Sequence, residues 1–166
     1  ENFKSFFEYH NNMYKYIIRP VLFRIDAEKI HDFTLVFGRF LGSNFLTRKL
    51  ISLFFTYKNE KLNNKILGIN FENPMGLAAG FDKNANLTQI LPSVGFGFEE
   101  IGSITGEKCE GNPKPRLFRL PKEKSIIVNY GLCNEGSEKI FKKLKNKKFK
   151  FPIGVNIARA NNPDIV

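Results

Sequence analysis

Residues 76–84, Gly-Leu-Ala-Ala-Gly-Phe-Asp-Lys-Asn, hold the densest chemistry in this chain of 166 residues. A short apolar strand that ends in Ala78, Ala79 and Gly80 presents bare backbone at its C-terminal end, so a flat ring can approach closely and hydrogen-bond to main-chain groups. Lys83 then sets an ammonium at the same edge, where it can stabilise negative charge developing on such a ring or the carboxylate of a small substrate. A tight turn carrying a surface lysine is the plainer explanation of the same residues.

The elements around this stretch predict an α/β chain. In residues 3–18 the apolar positions Phe3, Phe6, Phe7, Met13, Tyr14, Ile17 and Ile18 recur at three- and four-residue steps, the helical period, and Pro20 is expected to end or redirect that helix. Asp26 can cap a second helix with an apolar face of Ile30, Phe33, Phe37, Phe40 and Leu41, stopping near Gly42. Ser43 or Asn44 opens a third over residues 45–57. After about residue 60 the period changes to short apolar runs punctuated by Gly, Pro and Asn, beginning with a small hairpin in KILGINFENP.

The runs MGLAAG, GFEEIGSIT and FPIGVNIA are short and near-continuous, as strands buried on both faces of a parallel sheet should be. Residues 84–94 and 137–145 between them have helical spacing, which completes a strand-helix-strand-helix-strand rhythm. A long insertion over residues 107–134 contains LFRL and IIV, two alternating pieces that predict a β-hairpin. Long loops at the C-terminal ends of parallel strands are where such folds place their chemistry.

The formal net charge of +10 suits an anionic partner without choosing among nucleic acid, an acidic membrane and phosphate-bearing ligands. Seven lysines fall in residues 139–150, where a solvated helix C-terminus accounts for them. Cys109 and Cys133, the two cysteines, have no His or Cys at ligand spacing, so neither a disulfide framework nor a structural metal site is expected. No apolar run approaches the roughly 20 residues that span a bilayer, and the N-terminus lacks signal-peptide architecture.

GLAAGFDKN is similar to the flavin-binding segment of dihydroorotate dehydrogenases, and GFGFEEIGSIT and EGNPKPRLFRLP follow in order as likenesses of two further signature segments. The resemblance covers most of the chain, from about Arg19 to Asn156. It implies an FMN-binding (β/α)8 TIM barrel, of which residues 61–166 are the first part, preceded by an N-terminal amphipathic helical subdomain over residues 1–60. By matched positions it implies that Ala78, Ala79, Gly80, Phe81 and Asp82 line the FMN, that Ser103 and Asn156 bond to it, and that Lys83 touches both flavin and orotate. A general base and the FMN phosphate site are expected beyond Val166, and the 166 residues alone are expected to be inactive.

VNYGLCN, residues 128–134, departs from the family pattern. The family usually has an asparagine three residues before the glycine, followed in the quinone-reducing class by Gly-Phe-Asn. Here Val128 holds that place, Asn129 follows, and Leu132 and Cys133 come after Gly131. Tyr130, Gly131 and Leu132 are expected to wall the orotate pocket, with either Asn129 or Asn134 as the substrate-binding amide. RPVLFRIDAEKIH, residues 19–31, resembles the N-terminal extension of the quinone-reducing class, which implies a quinone site using His31 and Arg119 and a peripheral membrane association.

The expected activity is therefore oxidation of dihydroorotate to orotate in pyrimidine biosynthesis, with FMN as cofactor, quinone as acceptor, a membrane surface as partner and no nucleic acid. A soluble-class enzyme, favoured by GLCN, and a non-enzymatic basic binding domain remain the alternatives. All the flavin motifs begin after Pro74, so the N-terminal helices are expected to be separable from them.

Overall fold

Residues 12–160 are described by a computed structural model. Of the first predicted helix, Phe3, Phe6 and Phe7 lie outside the described residues. Tyr14–Ile18 form a π turn that runs on into a short helix, α1 (Arg19–Leu22). Pro20 does not itself end the helix, which stops two residues later at Leu22. It sits in the first turn of α1, where no N–H is needed, and the wider π turn ahead of it relieves the crowding a proline imposes on the preceding turn.

α2 (Ala27–Ser43) starts at Asp26, whose Oδ1 accepts from the Lys29 N–H at 3.0 Å. α3 (Phe45–Phe55) starts at Asn44, whose Oδ1 accepts from the Leu46 N–H at 2.7 Å. Both caps satisfy main-chain donors that a helix start leaves unpaired. The apolar stripe read along α2 divides in two. Leu35 and Leu41, with Ile51 of α3, pack on a core of Leu87, Ile90, Leu91 and Phe151. Phe33, Phe37 and Phe40 face outward, with Phe40 68% exposed. Gly38 and Gly42 permit the close approach on the inner side: a Cβ at Gly38 would run into the end of Leu87, and one at Gly42 would lie 3.2 Å from the main-chain nitrogen of Ile90.

The predicted small hairpin is β1 (Asn64–Ile66) paired antiparallel with β2 (Ile69–Phe71), joined by Leu67 and Gly68. Both linking residues have positive φ, as a two-residue turn between right-twisted strands requires. β3 (Gly76–Leu77) and β4 (Phe98–Ile104) come next. The helix expected over residues 84–94 is replaced by turns and a 3₁₀ turn at Leu91–Val94. The Asp82 carboxylate takes the N–H groups of Asn86 (2.9 Å) and Leu87 (2.5 Å), Ala85 adopts a positive φ of 55°, and Pro92 removes a donor. Leu87, Ile90 and Leu91 are nonetheless buried, so the spacing marked the core while the local hydrogen bonds chose another backbone.

The insertion forms the expected hairpin, β5 (Leu117–Leu120) antiparallel to β6 (Ser125–Val128). α4 (Ser137–Leu144) and β7 (Ile153–Ile157) complete the order. β3, β4 and β7 make one parallel sheet in that order, the rhythm read from the sequence. Burial on both faces holds only in part. β4 is well covered, with Glu99 and Ile101 at no exposure, but β7 is the sheet edge and leaves Ile157 78% exposed.

Candidate functional site

The C-terminal ends of the parallel strands and the insertion enclose a cavity of about 310 Å³ lined by Gly80, Lys83, Ser103, Asn112 and residues 128–133. One wall is the sheet. Gly80 has a φ of 106° with nothing within 4 Å of where a Cβ would stand, and its N–H is held by the Gly102 carbonyl at 2.7 Å. A register shift between Ile101 and Ile104 puts Ser103 beside Asn156 of β7. The Ser103 hydroxyl donates to Asn156 Oδ1 at 2.5 Å, and Asn156 Nδ2 donates to Glu100 at 3.2 Å. Ala78 and Ala79 follow β3 and lead into Gly80 without lining the cavity themselves, leaving main chain in place of bulk.

The opposite wall is the insertion, and Tyr130 is its centre. Its ring lies 4.0 Å from Lys83 Nζ on one contact and 4.7 Å from the Arg116 guanidinium on another, so two cations share one aromatic ring. The phenol is buried with no hydrogen-bond partner among the described residues, and burial pushes its pKa up. Lys83 Nζ donates to the Gly80 carbonyl at 2.6 Å, which fixes the ammonium over the end of β3. Burial, chiefly, pulls Lys83 below the ordinary lysine value, and the Arg116 guanidinium adds to the pull.

Arg116 and Glu28, on which sequence reasoning placed no role, hold this wall in position. Glu28 Oε1 accepts from Arg116 Nε at 3.1 Å and Nη2 at 2.9 Å, and from Lys114 Nζ at 2.9 Å. Arg116 Nη1 also donates to the carbonyls of Glu110 and Asn112. Glu28 stands in the first turn of α2, so the N-terminal helices are tied to the insertion through a buried ion pair. The N-terminal helices thus pack against the insertion rather than standing apart from the motifs that follow Pro74. The pairing spans 88 residues, and nothing local in the sequence announces it.

Burial alone would raise the Glu28 carboxyl, but hydrogen bonds from Arg116 and Lys114, with their charges, outweigh it and hold it below the ordinary carboxylate range. Glu28→Ala is expected to destabilise the protein by about 3–5 kcal/mol, because it strands a buried guanidinium. Since the folded pKa is the lower one, the pair's contribution is present above the unfolded value and lost as pH falls through the folded value. The difference in thermal midpoint between wild type and Glu28→Gln should accordingly close in acid. A constant difference down to acid unfolding would contradict the assignment.

His31, on α2, donates from Nε2 to the Phe81 carbonyl at 2.8 Å and packs edge-on to the Phe81 ring. Arg119 Nη1 donates to the Ile25 carbonyl at 2.7 Å and its guanidinium covers Phe23. Each thus stands between the N-terminal helices and the sheet or insertion. Asn129 lines the cavity with its Oδ1 accepting from Asn112 Nδ2 at 2.9 Å. Asn134 is buried outside the lining, with its amide spent on Thr105, Leu132 and Gly136. Cys133 lines the cavity and accepts from Arg116 at 3.5 Å.

Behind the sheet wall, Glu99 is fully buried beside the Asp82 carboxylate. Burial, with the Asp82 carboxylate beside it, pushes Glu99 up to about 9. Asp82 itself serves the turn rather than the cavity, its carboxylate being buried on the N–H groups of Asn86 and Leu87.

A family model described as dihydroorotate dehydrogenase matches residues 61–165. A dihydroorotate dehydrogenase (quinone) of Christiangramia forsetii is 44% identical over 152 residues, covering 89% of this chain and 43% of that protein. One of Methylobacillus flagellatus is 41% identical over 143 residues, covering 86% of this chain and 41% of that protein. The crystal structure of the Eimeria tenella dihydroorotate dehydrogenase in complex with ferulenol superposes with a TM-score of 0.69 at 31% identity, covering 82% of this chain and 36% of that one. The chain thus spans about two fifths of the length of the curated relatives it matches.

Proposed function

Because this chain belongs to the dihydroorotate dehydrogenase family, we propose that the full-length protein oxidises dihydroorotate to orotate in pyrimidine biosynthesis, using FMN and delivering the electrons to a quinone. The observation that carries this reading is the cavity itself. The bare end of β3, the lysine fixed over it and the Ser103–Asn156 pair face an aromatic wall across a space of ring dimensions.

The residues present fit FMN: the open space over Gly80 and the hydroxyl–amide pair of Ser103 and Asn156 suit a flat, polar-edged ring. Ala78 to Phe81 with Ser103 and Asn156 would hold it, while the buried Asp82 carboxylate shapes the turn that follows. When bound, FMN supplies a two-electron acceptor for dihydroorotate and a donor for quinone. Lys83 presents positive charge to the substrate carboxylate and to negative charge arising at the pyrimidine edge of the cofactor. Tyr130, Gly131 and Leu132 shape the substrate's side of the cavity and exclude water from it. Asn129 is the substrate-binding amide in this reading, because Asn134 is buried and engaged elsewhere.

His31 and Arg119 lie between the helices and the site, which supports a quinone head group meeting the protein there. The outward apolar residues of α1, α2 and α3 support a peripheral membrane contact, and no helix among the described residues is long and apolar enough to cross a bilayer. The parallel β3-β4-β7 sheet is the first part of a (β/α)8 barrel on this reading, over residues 61–166, with residues 1–60 as the membrane-facing helical part.

Mixing the anaerobic full-length protein with dihydroorotate should bleach the flavin absorbance, and a long-tailed quinone should restore it. Absence of bleaching would overturn the reading. The Gly131-Leu132-Cys133-Asn134 ending favours a second reading, a soluble-class enzyme, for which fumarate or a nicotinamide restores the colour and quinone does not.

A further inference from the structure

Asn112 and Asn129 are both exposed on the cavity wall, and the contact between them leaves one hydrogen-bonding group of each without a partner among the described residues. Asn112 Nδ2 donates to both the carbonyl of Asn129 (3.0 Å) and Asn129 Oδ1 (2.9 Å). Both partners are oxygens, so the contact itself decides which end of each amide is which. Asn112 Oδ1 then has no donor, and Asn129 Nδ2 no acceptor, among the described residues. Asn112 is fixed in place by its own N–H on the Tyr130 carbonyl at 2.8 Å and by Arg116 on its carbonyl at 3.0 Å. Gly131 clears the space beside it: a Cβ there would stand 3.1 Å from Asn112 Oδ1. Val128, on the same lining, supplies no hydrogen-bonding group.

We propose that Asn112, through this bonded amide pair with Asn129, is a specificity-determining residue that reads an adjacent N–H and C=O on the edge of a cyclic amide substrate. Asn112 Oδ1 accepts from the ring N–H and Asn129 Nδ2 donates to the neighbouring carbonyl. The pair belongs to the insertion wall, whereas the groups suited to a flat cofactor belong to the sheet wall, so the substrate lies between the two. Lys83, at the border of both walls, is placed for the anionic end of the same molecule. An analogue lacking the N–H leaves Asn112 Oδ1 unpaired against an apolar or methylated edge and is rejected for that reason. The assignment rests on the dihydroorotate reading above and adds Asn112, in place of residue 128, to the groups that recognise the substrate.

The test is steady-state and half-reaction kinetics of the FMN-loaded full-length protein with dihydroorotate. Asn112→Ala is expected to raise KM about tenfold, the loss of one or two neutral hydrogen bonds, with a smaller effect on kcat. Its flavin content and the rate of flavin reoxidation by quinone should match those of wild type. Asn129→Ala, which keeps the main-chain bond between Asn112 and Tyr130, should show the same KM-weighted loss and carries the test if the first variant does not fold. An unchanged KM in both variants overturns the proposal while leaving the function intact. Loss of bound FMN in either, with KM unchanged in the fraction that retains it, also overturns it, by assigning the pair to the cofactor. A wild-type protein that fails to oxidise dihydroorotate overturns both readings together.

Discussion

Lys83→Ala in the full-length protein should lower the rate of flavin reduction by dihydroorotate about 10²–10³-fold, the usual cost of removing one charge-stabilising group from an enclosed site. The same change should cost only about 1–2 kcal/mol of stability, because the folded chain loses one hydrogen bond to Gly80 and one cation–ring contact with Tyr130. That imbalance is what separates a group acting on ligand from a group holding up the fold. Lys83 is only partly exposed and is held by its bond to the Gly80 carbonyl. Anaerobic stopped-flow absorbance gives the rate, and a thermal scan gives the stability. A near-wild-type rate, or a rate loss matched by a collapse in stability, would remove Lys83 from the chemistry.

The outward face of the N-terminal helices should give the second large effect. Phe37 and Phe40 of α2 and Leu46 and Leu50 of α3 are all exposed, and Phe33 stacks on Phe37 at 5.6 Å to widen the same apolar surface. Replacing the first four by Asn or Gln removes on the order of 1 kcal/mol of apolar transfer at each, or about a thousandfold in binding to a bilayer. The variant is expected to stop sedimenting with phospholipid vesicles and to be reoxidised slowly by a long-tailed quinone, with flavin reduction by dihydroorotate unchanged. Deleting residues 1–42 is a different perturbation. It removes Glu28 from Arg116, His31 from Phe81, and the helix surface packed on Leu87 and Ile90, so both half-reactions should fail. Vesicle binding that survives the four substitutions would make that face a surface for something other than lipid.

What could be read from the sequence was whatever depends on neighbours in the chain. The two hairpins follow from alternation and turn residues such as Leu67-Gly68, and the helix starts at Asp26 and Asn44 follow from side chains that cap the next turn. The parallel strands were legible from their length and continuous apolar character, although β7 is covered less than its composition suggests. Residues 84–94 failed as a helix because the side chain of Asp82 competes for the main-chain donors of Asn86 and Leu87, a choice that apolar spacing does not register.

In the site, GLAAGFDKN pointed to the sheet wall, and the structure brings Gly80, Lys83, Ser103, Asn129, Tyr130, Gly131 and Leu132 around one cavity. The insertion wall was less legible. Glu28 meets Arg116 across most of the chain, and only the folded arrangement separates the roles of two asparagines five positions apart, one lining the cavity and one bonding the loop together. Asn112 stood in a recognisable Gly-Asn-Pro segment, but its free oxygen is a product of its bond to Asn129, which no spacing rule contains.

Glu99 makes folding itself an acid–base reaction. In the unfolded chain its carboxyl is ionised at neutral pH, whereas in the folded core it keeps its proton up to about pH 9, so the chain takes a proton from solution as it closes over that side chain. A group whose folded pKa is the higher one contributes most in acid, and its contribution fades as the medium becomes alkaline. Glu28 has the opposite sign, which leaves the two carboxylates pulling the same molecule toward opposite ends of the pH scale. Base thus acts on the core behind the sheet wall and acid on the ion pair that holds the insertion, so the two walls of the cavity loosen under different conditions.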